Sequence, residues 1–185
     1  MKLNLGCGFN KIPGFINVDR VSACDPDKLI DLDVTPWPFV TDSVDEVLFN
    51  HSLERLGQTT TGFFEIMKEL YRICKVGAVV EINSTHPRHD LFINDPTCVR
   101  TISPESLSLF SKKLNDDWKK SQATNSVLAL YLNVNFEIRK VVTVLEKRYM
   151  DQVGQKKITE EELKELVSER NNVILENRIT LEVLK

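Results

Sequence analysis

The chain has 185 residues, 42% of them hydrophobic, which suits one globular domain with a sizeable core over residues 1–185. Its 24 lysines and arginines are outnumbered by 27 acidic residues, which argues against bulk binding of nucleic acid or of an anionic membrane. No apolar run is long enough to span a bilayer. The four scattered cysteines form no Cys-x-x-Cys pair and there is no signal-peptide pattern, so we expect reduced thiols in a cytoplasmic protein.

The first 19 residues carry the most informative pattern. A short apolar strand, Leu3–Leu5, leads into the turn Gly6-Cys7-Gly8, and a second apolar strand ends on Asp19. Glycines let backbone N–H groups approach a ligand closely, and an acid at the tip of the second strand can accept both hydroxyl protons of a ribose. The pattern predicts a nucleoside-bearing cofactor at the carboxyl edge of a parallel sheet.

Two details disfavour NAD as that cofactor. The dinucleotide fingerprint has a third glycine where this chain has Lys11, and its acid comes about 20 residues further on, whereas Asp19 comes much sooner.

The stretch between Gly8 and Phe15 is shorter than the dozen or more residues that a parallel crossover usually needs. We therefore expect the first crossover to be a turn or a single helical turn.

The chain between the first motif and residue 82 alternates strands with one helix. The prolines of Pro36–Phe39 exclude regular helix or central strand there. A broad apolar face at helical spacing predicts a helix from Thr60 or Thr61 to about Cys74, with Gly77 as its stop. In this part we expect the end of a third strand over Leu29–Asp33, a fourth strand over Val44–Asn50 and a fifth over Ala78–Ile82.

The second half begins with a long polar segment, Ser84–Pro104, of a length that is usually functional or disordered. After it the sequence predicts a short helix opening at Pro104, a helix over Asp116–Leu132, a long strand over Phe136–Tyr149, a capped helix from Thr159 and an alternating strand over Ile174–Leu184. Alternating strands and helices predict a three-layer α/β domain.

Further motifs follow the glycine turn in a familiar order. Asp31-Leu32, Pro36–Phe39, Asp42-Ser43 and Val44-Asp45 succeed one another as in the class I S-adenosylmethionine-dependent methyltransferases, and the chain resembles especially the small type 11 members found among sugar-modifying genes. Three positions depart from the type 11 pattern: Arg55 replaces the second histidine of His-x-Leu-Glu-His, Lys75-Val76-Gly77-Ala78 replaces Lys-Pro-Gly-Gly, and Cys98 stands where a histidine is usual.

The resemblance implies a Rossmann-like methyltransferase fold with a mostly parallel seven-stranded sheet and an antiparallel last strand. It also implies S-adenosyl-L-methionine as cofactor, with Asp31 near the adenine amino group and the backbone N–H of Leu32 near a ring nitrogen; the alternative for Asp31 is that it caps a turn. The cofactor-binding residues that follow from it are Asn4, Gly6, Cys7, Gly8, Asp19, Asp31, Leu32 and Asn50.

Two histidines are candidates for catalysis, His51 and His89. His51 follows the fourth strand at the edge where open α/β sheets bind ligands, and it is either a base for a hydroxyl acceptor or a structural histidine that fixes the turn. The pattern His86-x-x-His89 with nearby acids and Cys98 invites a zinc interpretation, but its spacing matches no closed zinc site, so we expect no metal.

Arg88 and Arg100 lie in the long polar segment and could hold a polar acceptor by forked hydrogen bonds, or they could be ordinary solvated charges. The resulting hypothesis is a methyltransferase acting on a small-molecule or saccharide acceptor. The rival is a non-catalytic cofactor-binding or scaffold domain that kept the fold. The sequence names neither the acceptor nor the oligomeric state.

Overall fold

A computed structural model describes residues 1–185. Its centre is one seven-stranded sheet in the order β3-β2-β1-β4-β5-β7-β6, in which β7 runs antiparallel to both neighbours and all other pairs are parallel. This confirms the predicted sheet and its antiparallel last strand. The strands are β1 Lys2–Leu5, β2 Ile16–Asp19, β3 Lys28–Leu29, β4 Val44–Asn50, β5 Cys74–Thr85, β6 Phe136–Leu145 and β7 Ile174–Val183.

Seven helices and two short 3-10 turns, Ser22–Cys24 and Leu53–Arg55, connect the strands. No helix combines the length and the apolar character needed to cross a membrane. The helices are α1 Thr60–Ile73, α2 Asp90–Ile93, α3 Pro104–Ser108, α4 Lys112–Ser121, α5 Leu128–Leu132, α6 Lys147–Gly154 and α7 Glu160–Glu169.

The core lies between one face of the sheet and the helices α1 and α3. Strand residues at alternating positions point to this face because side chains of a strand alternate between its two sides. A single cluster of 27 buried residues results, and it contains residues of β4, β5 and β7 together with the apolar stripe of α1. Those members include Val47, Phe49, Val80, Ile82 and Leu181 on the sheet, and Ile66, Met67 and Leu70 on α1.

The opposite face of the sheet is open to solvent at its centre. Glu81 and Arg178 are exposed there, and Leu48, Val79 and Thr180 are partly exposed. The connections from β1 to β2 and from β2 to β3 contain no helix beyond the 3-10 turn, because they are too short for a crossover helix. The first crossover is thus a turn, as expected.

The end of helix α1 at Ile73 agrees with the expected end near Cys74, but Gly77 is not its stop. Cys74 is already extended and pairs with Val44, so β5 starts there and not at Ala78, and Gly77 lies inside this strand. The strand β6 ends at Leu145, since Glu146 caps a new helix by accepting the N–H of Lys147.

The expected third strand and the helix over Asp116–Leu132 also differ from the structure. Strand β3 stops at Leu29, and the residues after it form turns. The expected helix is two helices, α4 and α5, separated after Gln122, which adopts a left-handed conformation with φ of 55°. The buried side chain of Asn115 accepts the N–H of Ala129 at 2.9 Å, and this tertiary contact starts α5 in place of a continuous helix.

Candidate functional site

A cavity of about 610 Å³ opens at the carboxyl edge of the sheet. Its lining comes from the turn after β1, the ends of β2 and β4, the residues after β3, and the 3-10 turn Leu53–Arg55. The volume lies within the range of small-molecule sites, and the position is where open α/β sheets bind ligands. Five neighbouring segments of the first 56 residues thus build one site.

The glycine turn is fixed against β2. Gly6 and Cys7 both donate their backbone N–H to the carbonyl oxygen of Val18, at 2.8 and 2.9 Å. Gly6 has φ of +70°, and a Cβ added there would lie 2.5 Å from the Cβ of Ser52. Gly8 has φ of +50°, but a Cβ added there would meet no atom within 4 Å, which leaves open space in front of this residue. Both glycines line the cavity.

Asp19 lines the cavity from the tip of β2. One carboxylate oxygen accepts the backbone N–H of Gly8 at 2.8 Å, and the other accepts that of Val21 at 2.9 Å. Because each carboxylate oxygen has two lone pairs, each keeps capacity for one further donor. The geometry therefore suits a diol such as that of a ribose.

Asn4 supports the glycine turn from below and does not line the cavity. Its amide donates to the carbonyl oxygen of Asn10 and to the side-chain oxygen of Asn17, both at 2.9 Å, and it is buried. Asn4, which was expected to contact the cofactor, thus holds the loop of residues 9–15 and the strand β2 with its amide nitrogen.

Cys7 and Asn50 do line the cavity. Burial raises the pKa of the Cys7 thiol, with a further contribution from Asp19, so this side chain stays neutral. The side-chain oxygen of Asn50 accepts the amide of Asn83 at 3.0 Å, which joins the ends of β4 and β5.

Asp31 and Leu32 line the cavity just beyond β3. One carboxylate oxygen of Asp31 accepts the backbone N–H of Asp33 at 3.0 Å, so Asp31 does cap a turn. Its other oxygen has no hydrogen-bond partner in the chain, and the backbone N–H of Leu32 donates to no other group. A donor and an acceptor therefore remain available side by side.

His51 lines the cavity at the end of β4 with φ of +54°. Its Nε2 lies 3.0 Å from a carboxylate oxygen of Glu176, and its Nδ1 lies 3.2 Å from the Thr85 hydroxyl and 3.7 Å from a carboxylate oxygen of Glu54. The Glu54 carboxylate, aided by that of Glu176, raises the pKa of His51. Both ring nitrogens are thus engaged by other side chains of the protein.

Arg55 lines the cavity from the 3-10 turn after β4. Its Nε donates to the carbonyl oxygen of His51 at 2.9 Å, and its Nη1 donates to Asp95 and Thr97. The arginine thus ties residues 95–97 to the end of β4 and adds a positive charge to the cavity wall.

The candidate residues of the long polar segment lie outside the cavity lining. His89 is 5% exposed; its Nε2 lies 3.0 Å from Glu146, and its Nδ1 accepts the N–H of Leu91 at 3.1 Å. Arg88 donates at 2.9 Å to the carbonyl oxygens of Val167 and Ser168 at the end of α7. Both side chains therefore join this segment to the last third of the chain.

Arg100 serves a structural purpose as well. Its Nη2 donates to the carbonyl oxygens of Gly57 and Thr59, at 2.6 and 3.2 Å, and its guanidinium lies 4.3 Å from the ring centre of Phe63. These hydrogen bonds use Nη2 alone, and Nε is buried without a hydrogen-bond partner. No group of three or more histidine, cysteine or carboxylate side chains is arranged to hold a metal ion.

Sequence reasoning passed over several residues that line the cavity, among them Phe9, Arg20 and Ser52. The Phe9 ring is 84% exposed at the mouth of the cavity, and Arg20 lies 3.5 Å from the carboxylate of Asp33. The Ser52 hydroxyl donates to the carbonyl oxygen of Leu5 at 2.6 Å. Each of these three residues directly follows a predicted site residue, and this adjacency is the sequence signal that could have identified them.

No protein-family model and no curated protein matches the chain. Solved structures do match, among them a SAM-dependent methyltransferase from Archaeoglobus fulgidus, with a TM-score of 0.60 and 16% identity over 98% of this chain and 85% of the other. Another, from Methanosarcina mazei, has a TM-score of 0.56 and 16% identity over 99% and 92%.

The cyclase SpnF is also similar, with a TM-score of 0.53 and 12% identity over 99% of this chain and 75% of the other. At such low identities the likeness concerns the fold and not the reaction. The chain has the Rossmann-like fold that these SAM-dependent methyltransferases share.

Proposed function

We propose that the chain is an S-adenosyl-L-methionine-dependent methyltransferase that acts on a small-molecule or saccharide acceptor as a single domain. The observation that carries this proposal is the Asp19 carboxylate, which is held by the N–H of Gly8 and still has free lone pairs facing the cavity. The four cysteines are free thiols, which supports a cytoplasmic setting.

The residues of the cavity fit the nucleoside part of this cofactor. The open space before Gly8 allows close approach to the backbone, and Asp19 can accept two ribose hydroxyls. The unused oxygen of Asp31 and the unused N–H of Leu32 match the amino group and the ring nitrogen of adenine. We propose these contacts for the cofactor.

NAD fits this site less well. A dinucleotide site places the pyrophosphate at the amino end of a helix that follows the glycine turn. Here residues 9–15 contain no helix, and Lys11 is turned to Asp25, with which its ammonium group forms an ion pair at 2.9 Å. The chain therefore offers no helix end to a pyrophosphate.

When bound, S-adenosylmethionine supplies a methyl group activated by a sulfonium. The task of the chain is then to hold the nucleoside with the glycine turn and Asp19 and to align an acceptor beside β4, where His51 and Arg55 form the wall. Such alignment can supply roughly 7–11 kcal/mol of the barrier, whereas a general base adds about 10²–10⁴ in rate.

Thermal unfolding tests the proposal directly. S-adenosylmethionine or its demethylated product at 100-fold its dissociation constant should stabilise the fold by about 2.7 kcal/mol, which raises the melting temperature by roughly 5–11 °C. NAD at the same concentration should give no rise. A shift with NAD alone, or none with any of the three, would contradict the proposal.

A second candidate function is a cofactor-binding chain without methyl transfer. The likeness to the cyclase SpnF supports it, because one fold can carry different reactions. Arg55 supports it as well, because it departs from the type 11 pattern that the chain resembles. Screening acceptors by the mass gain of one methyl group separates the two functions. Cofactor binding without any methylated product supports the second.

A further inference from the structure

The environment of His51 contains two carboxylates that no motif brings together. Glu54 lies in the 3-10 turn after β4, and Glu176 lies on β7, more than a hundred positions further along the chain. His51 itself lines the cavity, whereas Glu54, Thr85 and Glu176 do not. The imidazole is therefore the element that separates a buried acidic cluster from the candidate ligand site.

The two carboxylates are deeply buried, the Glu54 side chain being 0% exposed and the Glu176 side chain 9% exposed. One oxygen of Glu54 accepts only a 3.3 Å bond from the N–H of Thr85, and the other has no partner. Glu176 is better satisfied, because Arg178 donates to it at 2.6 Å. A buried carboxylate without a cationic partner is costly, so this cluster favours a positive charge on His51.

Further charges that act on His51 come from the same elements. Arg55 of the 3-10 turn opposes the protonation of His51, as does burial, while Glu54 and Glu176 favour it. Strand β5 contributes a hydroxyl, that of Thr85, and no charge to this contact. The net effect raises the pKa of His51, in agreement with the geometry.

We propose that Glu176 is a positioning residue that, together with Glu54, holds His51 as an imidazolium with both nitrogens bonded at the wall of the cavity. A histidine in this state carries its proton already and has no free nitrogen to receive another. If the proposed function holds, the imidazolium state of His51 restricts the class of acceptor. The nucleophilic atom of the acceptor needs no general base, as is true of a carboxylate or a neutral amine.

An NMR titration of the three histidine rings tests the positioning in the protein without ligand. The His51 signal is assigned by its loss in His51→Gln. We expect its midpoint to lie above the ordinary value of about 6.5 and to fall in Glu176→Gln and in Glu54→Gln. Two matched controls leave it unchanged: Glu182→Gln on the same strand, and Glu146→Gln, which removes the partner of His89.

A wild-type midpoint at or below the ordinary value, or an unchanged midpoint in folded Glu176→Gln, would overturn the proposal. If Glu176→Gln does not fold, Glu176→Asp keeps the charge with a shorter reach, and its midpoint should lie below that of the wild type. An unchanged midpoint in Glu176→Asp then counts against positioning by Glu176.

Two further readouts separate this proposal from the proposed function. Adding S-adenosylhomocysteine should move the His51 ring signals and leave those of His89 in place. If S-adenosylhomocysteine does not bind, the proposed function is contradicted, but the His51 titration midpoints still test the positioning by Glu176. With a methylated acceptor identified, the transfer rate should not rise through the His51 midpoint. A rise centred there that disappears in His51→Gln would make His51 a base and overturn the inference about the acceptor.

Discussion

The backbone N–H of Gly8 donates a 2.8 Å hydrogen bond to the carboxylate of Asp19. The turn after β1 and the acid that ends β2 are thus one mechanical unit, since Gly6 and Cys7 also bond to the last but one residue of that strand, Val18. A change at Asp19 therefore acts on the cavity in two ways, by removing the proposed ribose contact and by releasing the turn.

We predict that Asp19→Ala weakens binding of S-adenosylhomocysteine at least tenfold. The reason is the loss of charge-assisted hydrogen bonds worth about 1.5–3 kcal/mol. Calorimetric titration measures the affinity, and Asp25→Ala is the control, because this exposed carboxylate pairs with Lys11 outside the cavity lining. Unchanged affinity in a folded Asp19→Ala protein would refute the role of Asp19.

The two glycines of the turn should respond differently to alanine. In Gly6→Ala the new methyl group would collide with Ser52 at a backbone position that favours glycine, so we expect a loss of about 1–3 kcal/mol in the free energy of unfolding. In Gly8→Ala the methyl group has room, so the loss should be smaller, while ligand affinity falls because the methyl group occupies the approach to the backbone. Denaturant unfolding with calorimetric titration distinguishes these outcomes, and equal stability of both variants would contradict this account.

The parts of the fold that the sequence predicted well are local. The strand–turn–strand unit before Asp19 depends on neighbouring residues. The alternation of apolar and polar residues in β7 predicts that Ile179, Leu181 and Val183 face one side, and all three are buried. The break between α4 and α5 has no glycine or proline to mark it. It depends on the contact of Asn115 with the backbone of Ala129, which no local pattern reveals.

The candidate site likewise contains residues that local sequence predicts and residues whose roles depend on distant partners. The residues of the first two strands lie in the cavity because the carboxyl ends of parallel strands share one edge. Arg88 and His89 have their partners at Val167 and Glu146, more than fifty positions away, and from sequence an arginine that clamps a backbone carbonyl is indistinguishable from one that binds a ligand. Glu176 was passed over for the same reason.

Acid should weaken the protein partly through Asp95. Hydrogen bonds from Thr97 and Arg55 lower the pKa of Asp95 to about 2. Because the pKa in the folded state lies below that in the unfolded state, the contribution of Asp95 is present above pH 4 and is lost as the pH falls towards about 2. We expect the free energy of unfolding to fall less steeply in Asp95→Asn than in the wild type between about pH 5 and 3.

Urea unfolding at several pH values measures this slope. Asp116→Asn on α4 is the control, because Asp116 is exposed and its side chain makes no hydrogen bond or ion pair in the protein. The slope of this control should match that of the wild type. Parallel slopes for Asp95→Asn and the wild type would show that the contact with Arg55 does not persist in solution.

The last prediction concerns Arg100, which the sequence offered as an acceptor contact. Its guanidinium holds the carbonyl oxygens of Gly57 and Thr59 and lies over the ring of Phe63, so Arg100→Ala should lower the free energy of unfolding by about 1–3 kcal/mol. Affinity for S-adenosylhomocysteine should stay unchanged, because Arg100 does not line the cavity. The control is Arg139→Ala, which removes only an ion pair with Glu182 near the surface and should cost about 0–1 kcal/mol. If Arg100→Ala is as stable as this control but has a higher KM for an identified acceptor, Arg100 binds the acceptor and the clamp is secondary.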